Sequence, residues 1–182
     1  MNKSTTFAHR MADATVTVRK PDGTPLAHQE VTVAQRKHKF LFGNTAFETL
    51  ALANGILEGA AKEHAERVTD AFLDLFNFAT LPFYWGRFEP ERGKPGTAFM
   101  RKGAQWLVER GLVLKGHPLC WHTVTAPWLL ELSNAEILEA QIARIHRDVA
   151  DFAGLVDMWD VLNEVVIMPV FDKYDNGITR IC

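Results

Sequence analysis

The chain has 182 residues, of which 47% are hydrophobic and 23% charged, and its formal net charge is -2. That composition supports one packed domain or part of a larger one, and it excludes a disordered tail. No Lys/Arg block and no apolar run near the roughly 18 residues of a membrane helix occur, so nucleic acid and membrane are not expected partners.

Residues 1–12 read as a tail. They hold no apolar core of a signal peptide, so the chain as written is expected to be soluble and to carry no export signal. Residues 13–36 contain two alternating segments, at about 14–19 and 30–34, and the first ends in the turn signal Pro21-Asp22-Gly23. This predicts a short β-hairpin, an accessory segment ahead of the main domain.

From residue 37 to 182 the rhythm changes. KFLFG (39–43) is a short apolar run closed by Gly, and it reads as a strand. Ala61, Ala65, Val68, Phe72 and Leu75 form one helical stripe. FNFAT (76–80) reads as a second strand. A helix from Thr97 to Arg110 stops at Gly111, a good C-terminal residue. LVLKGHPLCW (112–121) is a third strand. Leu138, Ile142, Ile145, Val149 and Phe152 predict a further helix, and Ser133 with Glu136 forms a capping box ahead of it. VDMWDVLNE closes the series as a fourth strand. About four strands alternate with three helices, which predicts parallel βαβ units of an α/β fold.

Ligands in such folds gather at the carboxyl ends of strands. Asn44, His122, and Asn163 with Glu164 all fall there. A lone Glu at a strand end reads equally as a helix cap or a solvated loop group, but Asn163 and Trp159 beside it favour a site. Alternate strand residues face opposite ways. Asn163 and Glu164 therefore share a site only if the strand twists or ends between them. His117 and His122 are five apart and would face opposite ways on a strand, so they are not read as a metal pair. His117 reads as a core histidine, and His122 remains open between site and packing. Trp85, Trp121 and Trp128 follow strands and read equally as sugar platforms or loop packing. Cys120 and Cys182 make neither a disulfide framework nor a CxxC site. GxGxxG, P-loop and GxSxG motifs do not occur, so no cofactor and no metal is expected.

Two stretches carry a resemblance. GHPLCWHTVTAPW (116–128) resembles GHTLVWHSQTPxW of glycoside hydrolase family 10, the endo-β-1,4-xylanases, and WDVLNE (159–164) resembles that family's WDVVNE. FGNTAF and FNFAT…EPERG fit more loosely, and the likeness spans about residues 38–175. The resemblance implies a (β/α)8 TIM barrel and retaining hydrolysis by two glutamates. Glu164 would be the acid/base, Asn163 would bind the sugar 2-OH, and His122 would line the cleavage subsite. Substrate binding would also draw on Trp128, Trp85 and Asn44, with a polysaccharide or oligosaccharide as partner.

The sequence departs from the pattern in places. LPFYW (81–85) stands where the family has ENEMKW, without the Glu, Asn and Lys that grip xylose, so Tyr84 or Trp85 would have to supply sugar stacking. Val124 stands where the family usually has Gln. A full barrel takes roughly 250 residues. The expectation is therefore the amino-terminal half of a barrel, with the nucleophile of the seventh strand outside these residues and no activity from this chain alone. Xylan is the first expected substrate. The alternatives are a non-catalytic carbohydrate-binding remnant and a related hydrolase acting on another β-linked glycan.

Overall fold

A computed structural model describes residues 11–34 and 38–164. The chain divides into two compact units, Met1–Arg36 and Lys37–Cys182.

In the first unit the Pro21-Asp22-Gly23 turn forms as expected around an antiparallel bridge between Arg19 and Pro25. Asp22 Oδ1 accepts from Thr24 N at 2.9 Å and from its hydroxyl at 2.6 Å. No ladder joins 14–18 to 30–34 among the described residues, so the two alternating segments do not pair as the hairpin predicted. Their apolar residues stay exposed, and an isolated two-stranded ribbon is marginal in water.

The second unit is one parallel sheet in the order β1-β2-β3-β4, with strands Gly43–Thr45, Phe78–Pro82, Val113–His117 and Met158–Trp159. Helices α1 (Phe47–Asn54) and α2 (Gly59–Leu75) link β1 to β2. A short α3 (Trp85–Phe88) and α4 (Thr97–Val108) link β2 to β3. A 3₁₀ turn (Pro127–Glu131) and α5 (Asn134–Asp151) lead to β4. α1 and α3 are additional to the three helices that periodicity predicts. Among the described residues no helix is long and apolar enough to cross a membrane.

The first strand starts at Gly43, the last residue of the KFLFG run, and extends two residues past it. The Asn77 side chain explains why. Its amide donates to the His38 and Phe40 carbonyls at 3.0 and 2.9 Å, and its oxygen accepts from Phe42 N at 2.8 Å. Asn77 thus takes up backbone groups of Phe40 and Phe42 that a ladder would otherwise use.

β2 and β3 alternate strictly. Ala79, Leu81, Leu114 and Gly116 are buried beneath the helices, while Thr80, Pro82, Lys115 and His117 look out on the other face, half-buried. Phe83 sits at the centre of the core, with Phe152 edge-on at 4.8 Å and Trp159 at 4.8 Å. Gly116 lets the Trp159 ring lie directly on β3, because a Cβ there would overlap that ring.

α5 begins at the expected capping box: Glu136 N donates to Ser133 Oγ, and Glu136 Oε2 accepts from Ser133 N at 2.8 Å. Its buried face is not the expected one. Ile137, Gln141, Arg144 and Asp148 are buried, whereas of the expected stripe Leu138, Ile142 and Val149 are 45%, 47% and 39% exposed, Ile145 is half-buried, and Phe152 at the helix end is buried as expected. Carbonyls at the ends of β2 and β3 need donors, and only the polar stripe supplies them. Arg144 donates to the carbonyls of Leu119 (2.9 Å), Pro118 (3.2 Å) and Phe83, and Gln141 donates to Leu119 at 2.9 Å. α2 differs more mildly. It buries Ala65, Thr69 and Phe72 and leaves Leu75 exposed.

Candidate active site

The site is built on the sheet face that the helices leave open. β3 projects Lys115 and His117 onto it. β4 pairs Lys115 with Met158 and Gly116 with Trp159, so Asp160 comes level with His117. Asp160 Oδ2 lies 2.8 Å from Lys115 Nζ and 2.8 Å from His117 Nδ1. Burial pushes the Asp160 carboxyl up, but the hydrogen bonds from Lys115 and His117 outweigh it and hold the group below its ordinary value. A carboxylate only accepts, so Nδ1 is the protonated nitrogen of His117.

Aromatic rings continue this cluster toward the strand ends. Tyr84, just past β2, meets the His117 ring edge-on at 5.7 Å and the Trp121 ring at 5.4 Å. Trp121 Nε1 donates to Glu164 Oε2 at 2.8 Å. Pairing of β3 with β4 runs on past the regular strands: Cys120 N donates to the Val161 carbonyl at 2.9 Å and Asn163 N to the Cys120 carbonyl at 3.0 Å. Glu164 is the next residue, with a left-handed φ of 58°. Regular β4 ends at Trp159, an isolated bridge joins Leu162 to Cys120, and Glu164 lies past that bridge. Left-handed backbone at a residue other than Gly is uncommon and clusters at functional sites.

His122 is buried, with its ring 6.0 Å from Trp121. Burial holds its imidazole below the ordinary 6.5, against the pull of the Glu164 charge, so it is neutral at neutral pH.

Three expected site residues lie elsewhere. Trp85 is buried, with Trp128 edge-on at 5.6 Å and the Arg144 guanidinium over its ring at 4.8 Å. It is a packing residue, because the α3 turn directs it inward while Tyr84 stays on the open face. Trp128 belongs to the same second core, and its Nε1 donates to the Glu89 carbonyl at 3.0 Å. Asn44 is exposed on β1 and pairs in register with Ala79, and its Oδ1 accepts from Thr45 N at 2.8 Å. Parity along β1 thus separates Asn44 from Lys115 and His117.

Glu89 organises the loop behind Trp85. Its carboxylate accepts from Gly93 N at 2.8 Å and Trp85 Nε1 at 3.1 Å, and it pairs with Arg147 at 2.9 Å. Burial raises its pKa, but Arg147 and the Gly93 N–H together outweigh that and keep it low.

Reading the residues alone misses Asp160 and Lys115 and misplaces His117, which is not a core histidine but a partner of Asp160. Strand parity holds the signal: Lys115 and His117 are two apart on one face of β3.

A four-stranded parallel sheet with helices on one face forms part of a (β/α)8 barrel. The chain belongs to glycosyl hydrolase family 10, whose family model matches residues 49–174. It is 41% identical to endo-1,4-beta-xylanase A of Thermotoga maritima over 36% of this chain and 7% of that protein. It is 31% identical to endo-1,4-beta-xylanase B of Thermotoga neapolitana over 56% of this chain and 31% of that protein. A crystal structure of a family 10 endo-beta-1,4-xylanase from Gloeophyllum trabeum aligns with a TM-score of 0.51 and 25% identity, covering 57% of this chain and 34% of that one. A family 10 structure from Paenibacillus barcinonensis shares the fold, with a TM-score of 0.53, 20% identity, and coverage of 68% and 34%. The chain spans about a third or less of the length of these relatives.

Proposed function

We propose that this chain carries the acid/base half of a retaining endo-β-1,4-glycanase site, acting on xylan or a related β-1,4-linked glycan. Glu164 is the acid/base, Asn163 binds the sugar hydroxyl beside it, and His122 lines the point of cleavage. The observation that carries the reading is the Trp121–Glu164 hydrogen bond at the carboxyl end of a family 10 sheet. The names of the xylanase relatives support the substrate class.

Tyr84 is the sugar platform of this reading. It is the half-buried ring between His117 and Trp121, standing in the stretch where the family's Lys and acids are missing. The apolar face of a sugar stacks on such a ring.

Retaining hydrolysis needs a second carboxylate about 5–5.5 Å from the acid/base. Asp160 does not serve, since its Oδ2 is already engaged by Lys115 Nζ and His117 Nδ1. The 182-residue chain by itself is therefore expected to release no sugar from xylan.

The test is Glu164→Ala in a polypeptide of full family length. An unactivated sugar leaves as a poor alkoxide, so turnover on xylo-oligosaccharides should fall about 10²–10⁴-fold. Dinitrophenyl xyloside, whose leaving group needs no proton, should show a burst and then slow turnover. Azide needs no base and should restore turnover with a β-azide product. Equal losses on both substrates without azide rescue would remove Glu164 from this role.

A further inference from the structure

Lys115 and His117 are two residues apart on β3 and share the open sheet face. Their nitrogens meet at one atom: Lys115 Nζ and His117 Nδ1 each lie 2.8 Å from Asp160 Oδ2. The ammonium and the imidazole are therefore close neighbours, and all three side chains are half-buried.

An imidazole beside an ionised carboxylate has two arrangements. In one the ring is an imidazolium and both nitrogens carry protons. In the other the ring is neutral, Nδ1 donates to the carboxylate, and Nε2 keeps its lone pair. A carboxylate alone favours the first, because a nearby opposite charge stabilises the cation. A second cation on the same oxygen favours the other, because like charges side by side disfavour the extra proton. Lys115 is that cation. Asp160 stays ionised, because the hydrogen bonds from Lys115 and His117 outweigh its burial.

The remaining neighbours do not change this balance. Thr80 and Pro82, in register with Lys115 and His117 on β2, carry no charge. Tyr84 and Trp121 meet the imidazole as rings. Arg87 and Glu164 contact those two rings, Tyr84 and Trp121 respectively. Among the described residues no hydrogen bond engages His117 Nε2, so it is the atom that the ring has left for a ligand.

We propose that Lys115 is a positioning residue: its charge keeps His117 neutral and protonated on Nδ1, so that Nε2 presents a lone pair, not an N–H, to the glycan. The proposal rests on the glycan reading above and adds to it the residue that sets the charge of the ring between Asp160 and Tyr84.

Heteronuclear NMR of the 182-residue chain, isotopically labelled in its seven histidines, reads the proton on each ring nitrogen at about pH 7. His117→Gln identifies the His117 signals by their loss. In the wild type, Nε2 is expected at the shift of an unprotonated ring nitrogen and Nδ1 at that of a protonated one. Lys115→Met and Lys115→Gln remove the charge, and Gln keeps an N–H donor. In both variants Nε2 should move to the protonated range. Lys115→Arg keeps the charge and should keep the wild-type pattern, a reversal that a merely structural role would not produce. Thermal unfolding reports that the variants fold. Xylotriose titrated into the wild type should move the Nε2 signal saturably toward the protonated range, as accepting a hydroxyl hydrogen bond does, and this response should be absent in Lys115→Gln. A wild-type His117 protonated on both nitrogens, or an Nε2 that stays unprotonated in either uncharged variant, overturns the proposal. If the charge pattern holds but xylotriose leaves the Nε2 signal unmoved, the control of the ring by Lys115 stands and the glycan reading falls.

Discussion

Trp121 donates its indole N–H at 2.8 Å to one oxygen of Glu164, a residue held in a left-handed backbone conformation five residues past the end of β4. The bond orients the carboxyl group. Phe47, Tyr84, His117 and Trp121 then form a line of rings leading to that group.

Trp121→Phe keeps the ring and removes the donor. Hydrogen bonds to charged groups are worth about 1.5–3 kcal/mol, less where solvent reaches them. In a polypeptide of full family length, turnover on an unactivated xylo-oligosaccharide should fall about tenfold. Formation of the glycosyl-enzyme from dinitrophenyl xyloside should change less, because that step needs no proton. A loss in the pre-steady-state burst rate on dinitrophenyl xyloside equal to the loss on the oligosaccharide would mean that Trp121 acts by packing alone.

Tyr84 and Trp85 should separate cleanly. Trp85→Ala removes a buried ring from the second core and should cost about 3–5 kcal/mol in urea unfolding. Tyr84→Ala should weaken xylo-oligosaccharide binding severalfold with a smaller stability change, since the ring is only half-buried. Calorimetric titration of the two variants checks the assignment. The opposite pattern would return Trp85 to the site.

Gly116→Ala places a methyl group into the Trp159 ring, which packs on Phe83 and Phe152. Overpacking of this kind costs about 1–3 kcal/mol. A denaturant midpoint equal to that of the wild type would show that Trp159 has room to move.

Glu89 gives a pH dependence with a defined sign. Its folded-state pKa lies below the ordinary 4.5, so folding favours the ionised form. The stabilisation is fully present above pH 4.5 and is lost as pH falls through the folded value. Glu89→Gln should therefore be less stable than wild type at pH 7, with the two denaturant midpoints converging as pH falls below 4.5. A gap that stays constant from pH 7 to about pH 3 would show that shape, not charge, accounts for the effect.

Much of this was legible in the residues. Helix ends follow from local chemistry: the Ser133–Glu136 box satisfies the first turn of α5, and Gly111, with φ 82°, takes the left-handed turn after α4. Alternating elements implied a parallel sheet, and WDVLNE placed Glu164 at a strand end. Such features depend on neighbours a few residues apart, so the chain alone determines them.

Other features depend on what lies across the fold. α5 carries two stripes of the same rhythm, Ile137-Gln141-Arg144-Asp148 and Leu138-Ile142-Val149, one residue apart. Periodicity favours burying the apolar one. The tertiary structure buries the other, because the carbonyls of Phe83, Pro118 and Leu119 converge there and need the donors of Arg144 and Gln141. Tyr84 and Trp85 are likewise adjacent, and only the α3 turn decides which ring faces the site. The Lys115–Asp160–His117 cluster depends on the β3–β4 register. The sequence by itself determined four strands, three of the helices, their order, and an acid shortly after the fourth strand. Which side chains meet there was decided by register and by unsatisfied backbone groups, and both exist only once distant segments are packed together.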